Sequence, residues 1–249
     1  MIRQDFHVHT TFSDGKNTME EMVLSAIDKN MECIGFSDHS YTAFEPSYCM
    51  RKDQYQEYLA EGKRLREKYA GKIRILLGFE QDYYSDPDPA RFDYVIGSVH
   101  FLRAGDEYVE IDWEPRILKE ACEKYFGGDM YALTECYYET VSGIAEKTSC
   151  DLIGHFDLIS KFLEKEALFD PENPRYVRAW KKALDRLLPY NIPFEINTGA
   201  ISRGYRTTPY PAPAMIDYIK KRGGRLILSS DAHAASTIMY RFEDFEYLL

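Results

Sequence analysis

Apolar residues along this chain gather in short runs, separated by longer stretches in which they recur at helical spacing. The runs IRILLGF (73–79) and RLILSS (225–230) are nearly continuous. A strand with apolar residues on both faces must be covered on both, as in a parallel sheet wrapped by helices. The pattern predicts strands over 5–9, 33–38, 73–80, 94–99, 152–156, 193–197 and 225–230. Helices are predicted over 18–30, 52–69, 114–125, 131–147, 174–188 and 212–222. The first opens on Thr18-Met19-Glu20-Glu21, a capping box in which hydroxyl and carboxylate satisfy each other's backbone amides. Proline-rich breaks at 85–91 (SDPDPAR) and 203–213 (RGYRTTPYPAP) are short enough to be loops within one domain. Neither an internal repeat nor a linker divides the chain, so one α/β domain over 1–249 is expected. Seven strand–helix units point to a TIM-like (β/α)7 barrel, although an open doubly wound sheet has the same alternation. A barrel collects residues from many strand ends at one mouth, whereas an open sheet uses mainly its switch point.

Composition narrows the class. The chain has 249 residues, 45% of them hydrophobic, enough for a large core. Its apolar runs are too short to span a bilayer, and MIRQDFHVHT has no apolar signal segment, so a cytoplasmic protein without a membrane partner is expected. Cys33, Cys49, Cys122, Cys136 and Cys150 are scattered with no CxxC pair, as free thiols would be. The formal net charge of −10 and the lack of a basic patch argue against nucleic acid as a partner. An anionic substrate would then pose a puzzle, unless some carboxylates hold cations that the charge count omits.

The histidines supply those candidates. There are six in the chain: His7 and His9 on the first strand (FHVHT), His39 after the second (SDHS), His100 after the fourth (GSVHF), His155 ending the fifth (LIGHF) and His233 after the last (SSDAH). All fall at or just past the C-terminal end of a predicted strand. Carboxylates share the pattern: Glu80 ends the third strand, Asp14 follows the first, and Asp38 and Asp231 adjoin His39 and His233. Residues two apart on a strand share a face, so His7 and His9 can grip one ion, as can Asp231 and His233 if the strand continues that far. Any one of these histidines alone reads as an ordinary hydrogen-bonded residue. Together they read as a site for two or three ions, with imidazole and carboxylate donors suited to zinc, manganese or iron. No cysteine lies near them, against a closed structural zinc site.

This ordered set, HxH, Asp-His, Glu, two single histidines and DxH, resembles the polymerase and histidinol phosphatase (PHP) superfamily. The match runs from His7 to His233, and SDG after the HxH with EINTGAISR (195–203) looks most like the histidinol-phosphate phosphatase branch. The resemblance implies a distorted seven-stranded barrel with three divalent ions. His7, His9, Glu80 and Asp231 would hold the first. Glu80 would bridge to a second held with His100 and His155. Asp14, His39 and His233 would hold the third, Asp14 standing where some members have histidine. Three ions bring six positive charges, of which Glu80, Asp14 and Asp231 offset three, so the centre would attract an anion despite the chain's negative charge.

The implied activity is hydrolysis of L-histidinol phosphate, a step of histidine biosynthesis. A metal-bridging water would lose its proton near neutral pH and attack phosphorus in line. Glu80, Asp231 and His233 are the catalytic candidates. Arg203, with its planar fork, and Lys161 are candidate phosphate clamps. In the loop SYTAFEPSYC (40–49), Tyr41, Phe44 and Tyr48 could stack on a ring and Glu45 could meet an ammonium. Rival readings are a phosphatase for phosphotyrosine proteins or nucleotides, a non-catalytic metal-binding scaffold, and an amidohydrolase on a related barrel. Glu80, at a position where a carboxylated lysine often stands in amidohydrolases, favours the phosphoesterase.

Overall fold

The computed structural model describes residues 2–86 and 92–249. Residues 87–91 of the predicted break at 85–91 lie outside the described residues. Seven parallel strands form one sheet: β1 (Gln4–Asp5), β2 (Cys33–Phe36), β3 (Arg74–Asp82), β4 (Tyr94–Ser98), β7 (Leu152–Ile153), β8 (Phe194–Asn197) and β9 (Leu226–Ser229), in that spatial order. An antiparallel hairpin of β5 (Phe101–Ala104) and β6 (Glu107–Glu110) interrupts the chain after β4. The sheet curls until its edges meet. Val8 and Ala232, just beyond β1 and β9, form a parallel bridge, with His9 N donating to Ala232 O at 2.9 Å and Ala232 N to His7 O at 3.1 Å. The expected barrel is therefore present, and it is nearly closed.

Eight helices are described: α1 (Met19–Asp28), α2 (Tyr55–Lys68), α3 (Pro115–Phe126), α4 (Met130–Ser142), α5 (Ile144–Thr148), α6 (Pro174–Leu187), α7 (Gly199–Ser202) and α8 (Pro213–Lys221). The capping box forms as the sequence predicts. Thr18 N donates to Glu21 Oε2 at 2.8 Å, and Glu21 N donates to Thr18 Oγ1 at 3.3 Å. Proline stands in the first turn of α3, α6 and α8, where its missing N–H leaves no bond unmade. The helix predicted over 131–147 is instead two, broken at Gly143, a poor helix former.

The helices pack their apolar faces on the sheet in two main clusters. One joins Phe36, Phe79 and Leu77 of the early strands to Met22, Tyr58 and Leu65 of α1 and α2. The other joins Ile153 and Phe194 to Tyr137, Tyr138, Trp180 and Leu184 of α4 and α6. Both keep the strands rigid and leave their C-terminal ends free for chemistry. Among the described residues, no helix is long and apolar enough to cross a membrane.

Candidate metal centre

All six histidines converge at the C-terminal ends of the strands. The deepest part is His7 and His9, both fully buried, on either side of core residue Val8. Each reaches Glu80 Oε2, His7 Nε2 at 3.3 Å and His9 Nε2 at 3.6 Å, while His39 Nδ1 approaches the same oxygen at 2.9 Å. The other oxygen, Oε1, faces His155 Nε2 at 3.0 Å and His100 Nε2 at 3.5 Å and accepts from Ser98 Oγ at 2.6 Å. One buried carboxylate thus lies between two sets of imidazoles.

Toward the rim, Asp14 carries a second focus. Its carboxylate lies 3.2 Å from His233 Nε2, 3.7 Å from His39 Nε2 and 3.8 Å from His9 Nδ1. Asp231 Oδ1 lies 3.3 Å from His9 Nε2 and 3.7 Å from His7 Nε2. Ligand atoms that all face one another form three groups: His7, His9 and Glu80; His39, Glu80 and His100; and His9, Asp14, His39 and His233. The sets implied by the resemblance placed His9 and His39 at one ion each and added Asp231 to the first and His155 to the second. Those two lie outside these groups, although Asp231 Oδ1 is 3.3 Å from His9 Nε2 and His155 Nε2 is 3.0 Å from Glu80 Oε1. An imidazole has a nitrogen on each of two edges, so one ring faces two foci.

The donor chemistry fits divalent ions. His7 Nε2, both ring nitrogens of His9 and Glu80 Oε2 are buried without a hydrogen-bond partner among the described residues. Buried polar atoms rarely stay unpaired, because each costs about 1–3 kcal/mol in lost hydration. Burial opposes ionisation of Glu80, yet His7, His39 and His100 hold its carboxyl well below the usual range. Burial likewise opposes charge on His100, but Glu80 and Asp82 push its imidazole up to about 10. His9 goes the other way: burial, then the neighbouring His233 and His39, press it down to about 3. The carboxylates favour positive charge at the centre, and His9 offers neutral nitrogens to receive it.

Supporting residues set these orientations. Asp38, expected at the mouth, instead turns away from the histidines. Its carboxylate accepts from Thr10 N at 2.8 Å, Thr10 Oγ1 at 2.9 Å, Ser13 N at 3.1 Å and Ser13 Oγ at 2.6 Å, fastening the loop that bears Asp14. Gly15 follows, where a Cβ would sit 2.6 Å from the His9 backbone. The second strand pair also needs correction. β9 stops at Ser229 and Asp231 takes a left-handed φ of 50°, so strand alternation does not carry Asp231 and His233 to one face. A turn brings them in, and both still reach the centre. Gly199 of α7 allows that turn, since a Cβ there would meet Asp231 at 2.7 Å.

Sequence reasoning missed Glu195. This fully buried carboxylate lies 2.7 Å from His7 Nδ1 and accepts from His155 N at 3.1 Å and Asn197 Nδ2 at 3.1 Å. An ionised carboxylate only accepts, so His7 donates from Nδ1 and turns Nε2 toward Glu80, the edge that a bound ion would take. The available signal was a carboxylate flanked by Phe194 and Ile196 in a fully buried strand. Glu195→Gln is expected to weaken metal binding about 10- to 100-fold in a chelator competition; an unchanged affinity would remove Glu195 from the support.

The centre opens into a cavity of about 440 Å³, with Asp14, His39, His100 and His233 in its lining. Arg203 and Lys161 line it as well. Arg203 Nη2 donates to Asp231 Oδ2 at 2.9 Å and Nη1 to Asp231 O at 3.1 Å. Lys161 Nζ donates to Asp112 O at 2.6 Å and to Asp112 Oδ2 at 3.1 Å. Three of the residues expected to meet substrate, Tyr41, Phe44 and Glu45, are not in this lining, and Phe44 stacks instead on Tyr108. Tyr41 packs beside the α1–α2 core, its N donating to Tyr55 Oη at 3.1 Å. Glu45 is held by its own loop, its Oε1 accepting from Ser47 N at 3.3 Å. Tyr48 does line the cavity, its ring edge-on to His39 at 4.8 Å. A somewhat larger cavity of about 520 Å³ between α6 and α8 contains none of the histidines.

Fold and site together define a metal-binding β/α barrel. The PHP domain model matches residues 5–199, and the chain belongs to the PHP domain family. It is 31% identical over 259 aligned residues to the Deinococcus radiodurans protein named probable histidinol-phosphatase, with 96% of this chain and 90% of that one covered. The structure of HisK from Listeria monocytogenes is similar with a TM-score of 0.82 at 20% identity, covering 97% of this chain and 99% of that chain. That of the Lactococcus lactis histidinol phosphate phosphatase, complexed with zinc, L-histidinol and phosphate, has a TM-score of 0.73 at 23% identity, covering 99% and 92%.

Proposed function

We propose that this chain, as one domain over 1–249, is a metal-dependent phosphomonoesterase that hydrolyses L-histidinol phosphate to L-histidinol and phosphate. The observation that carries this is the division of Glu80, one oxygen toward His7, His9 and His39 and the other toward His100 and His155. The similar Lactococcus lactis enzyme, bound to zinc and to both products of that reaction, supports the substrate. Three facing groups of ligand atoms support three ions, chosen from zinc, manganese and iron. When bound, the ions supply Lewis acidity toward phosphoryl oxygens and acidify water for attack on phosphorus.

The chain's own groups do the rest. Arg203 spends only part of its five donors on Asp231 and the His233 ring, leaving others for phosphate oxygens. Lys161 lines the same cavity as a further cation. Burial opposes charge on Asp231, but Arg203 and His7 keep its carboxyl well below the usual range. It is therefore ionised and orients the attacking water by accepting its hydrogen bond at Oδ1. The water's proton passes on to the leaving alkoxide and does not stay on so weak a base. A cytoplasmic location goes with five unpaired cysteines.

Phosphate release from L-histidinol phosphate, beside phosphotyrosine and nucleoside monophosphates, tests the reading. A large kcat/KM preference for L-histidinol phosphate is expected. Even activity over the panel would keep the phosphoesterase and discard the substrate, and no activity in metal-loaded protein would favour a scaffold. Arg203→Ala is expected to lower kcat/KM roughly 10- to 100-fold and to weaken inhibition by inorganic phosphate in parallel. Unchanged kinetics would take Arg203 out of the phosphate site.

A further inference from the structure

The cavity of about 520 Å³ between α6 and α8 shares no lining residue with the cavity at the metal centre. Its volume is that of a small-molecule site. Three polar residues of its lining are buried: Asp157 wholly, Ser160 and Arg206 nearly so. The two carboxylate oxygens of Asp157 differ in their surroundings. Oδ2 accepts from Ser160 Oγ at 2.9 Å, Ala212 N at 3.1 Å and Arg206 Nη1 at 3.3 Å. Oδ1 is buried with no hydrogen-bond partner among the described residues. A buried acceptor is rarely left without a donor, so Oδ1 marks a place for one. Arg206 does not fill it. Its guanidinium lies over the Tyr210 ring at 4.3 Å, and Nη1 donates to Ser160 Oγ at 2.7 Å.

The rest of the lining changes character from inside to outside. Tyr176, Trp180 and Met215 are buried and supply aromatic and apolar surface. Glu172, Lys181, Asp217 and Lys221 are exposed, and among the described residues none of their charged groups has an ion-pair or hydrogen-bond partner. Lys181 Nζ instead stands 5.4 Å from the centre of the Trp180 ring. Glu164, the one other charge in the lining, accepts from Thr207 N at 2.8 Å. Two cations and two anions thus line one cavity without pairing. A simple anion or a simple cation would face like charge there, whereas a zwitterion meets each sign with its opposite.

We propose that this cavity is a second ligand site, for a free amino acid whose side chain is a flat ring carrying a hydrogen-bond donor. The ring lies against Trp180, and its N–H or O–H donates to Asp157 Oδ1. The carboxylate meets Lys181 and Lys221, and the ammonium meets Glu172 and Asp217. The proposal goes beyond the phosphomonoesterase reading and does not depend on it.

The test is calorimetric titration of the metal-loaded chain with L-tryptophan, L-phenylalanine and N-acetyl-L-tryptophanamide. L-Tryptophan has both charges and a ring N–H. L-Phenylalanine lacks the donor, and the blocked derivative lacks the charges. L-Tryptophan is expected to bind at least about tenfold more tightly than either. L-Phenylalanine chelates metal ions as L-tryptophan does, so it sets the baseline for binding at the metal centre. Asp157→Asn can keep its oxygen toward Ala212 and Arg206 while turning an NH2 toward the ring, and it should erase the preference for L-tryptophan. The double variant Lys181→Ala, Lys221→Ala alters only exposed side chains and gives a second reading should Asp157→Asn fail to fold. It is expected to weaken L-tryptophan binding at least about fivefold with metal per chain unchanged. No binding of any probe, or equal binding of all three, would overturn the proposal. So would a folded Asp157→Asn that keeps the preference, or L-tryptophan binding that the loss of both lysines leaves unchanged.

Discussion

Glu80→Gln is expected to lower turnover by a factor on the order of a thousand or more and to reduce the metal bound per chain. Glutamine has the same shape, so the cause is chemical. Glu80 is only 1% exposed, and each of its oxygens faces a different set of imidazoles. An amide has one acceptor oxygen and one NH2, which has no lone pair to give. Whichever way the amide turns, one set loses its shared ligand. The substitution also removes the negative charge that the surrounding imidazoles stabilise. Steady-state phosphate release, with metal per chain measured on the same sample, separates the outcomes. Near-normal turnover with full metal content would end the bridging role.

Stripping the metals is expected to abolish turnover and to make stability depend on pH in a particular direction. In the metal-free protein His100 is pushed up to about 10 from its ordinary 6.5, by Glu80 and Asp82 against the opposing effect of burial. A raised value means the folded state holds the proton more tightly than the unfolded chain. That contribution is complete below pH 6.5 and is lost as pH rises toward 10. Glu80 and Asp231 are shifted the opposite way, so theirs is present above the ordinary carboxylate range and lost as pH falls below it through their depressed values. The metal-loaded protein reverses the alkaline trend, because ions bind neutral imidazole and displace the protons. The gap in melting temperature between loaded and stripped protein should therefore widen from pH 6.5 to 9. Each 1 kcal/mol of difference corresponds to about 2–4 °C for a chain of this size. A gap that stays level or narrows would contradict the account, and readdition of zinc, manganese or iron singly would show which restores turnover.

The strands, most helices and the convergence of histidines were legible because each leaves a short-range mark. Buried parallel strands read as apolar runs, and a residue at a strand end keeps its place in the pattern whatever the loops do. Arrangements set by partners far along the chain left no such mark. Glu195 owes its role to His7, 188 residues away. Asp38 is one residue from His39 and therefore points elsewhere, toward the loop of Thr10 and Ser13. The β5–β6 hairpin was missed although its two-residue turn, Gly105-Asp106 with Gly105 at φ +64°, is a recognisable hairpin signal. Its strands are only four residues each, and Arg103, Glu107 and Glu110 dilute their apolar pattern. Tyr41 was misjudged because an aromatic near a site in sequence is not thereby near it in space. Arg203 was picked out by its charge and position, but its pairing with Asp231 depends on the close approach that Gly199 permits.

The single bridge between Val8 and Ala232 has a consequence for how the protein is made. It joins the first and last strands of the sheet, and the ligand candidates at 7–9 and 231–233 flank it on either side. A ribosome delivers His7 and His9 well over two hundred residues before Asp231 and His233, which emerge only after every strand of the sheet. The nascent chain can therefore bury much of its sheet while holding an incomplete set of donors. The full metal complement therefore waits for β9 and the turn beyond it, and a product truncated before Asp231 is excluded from that complement by the order of its own translation.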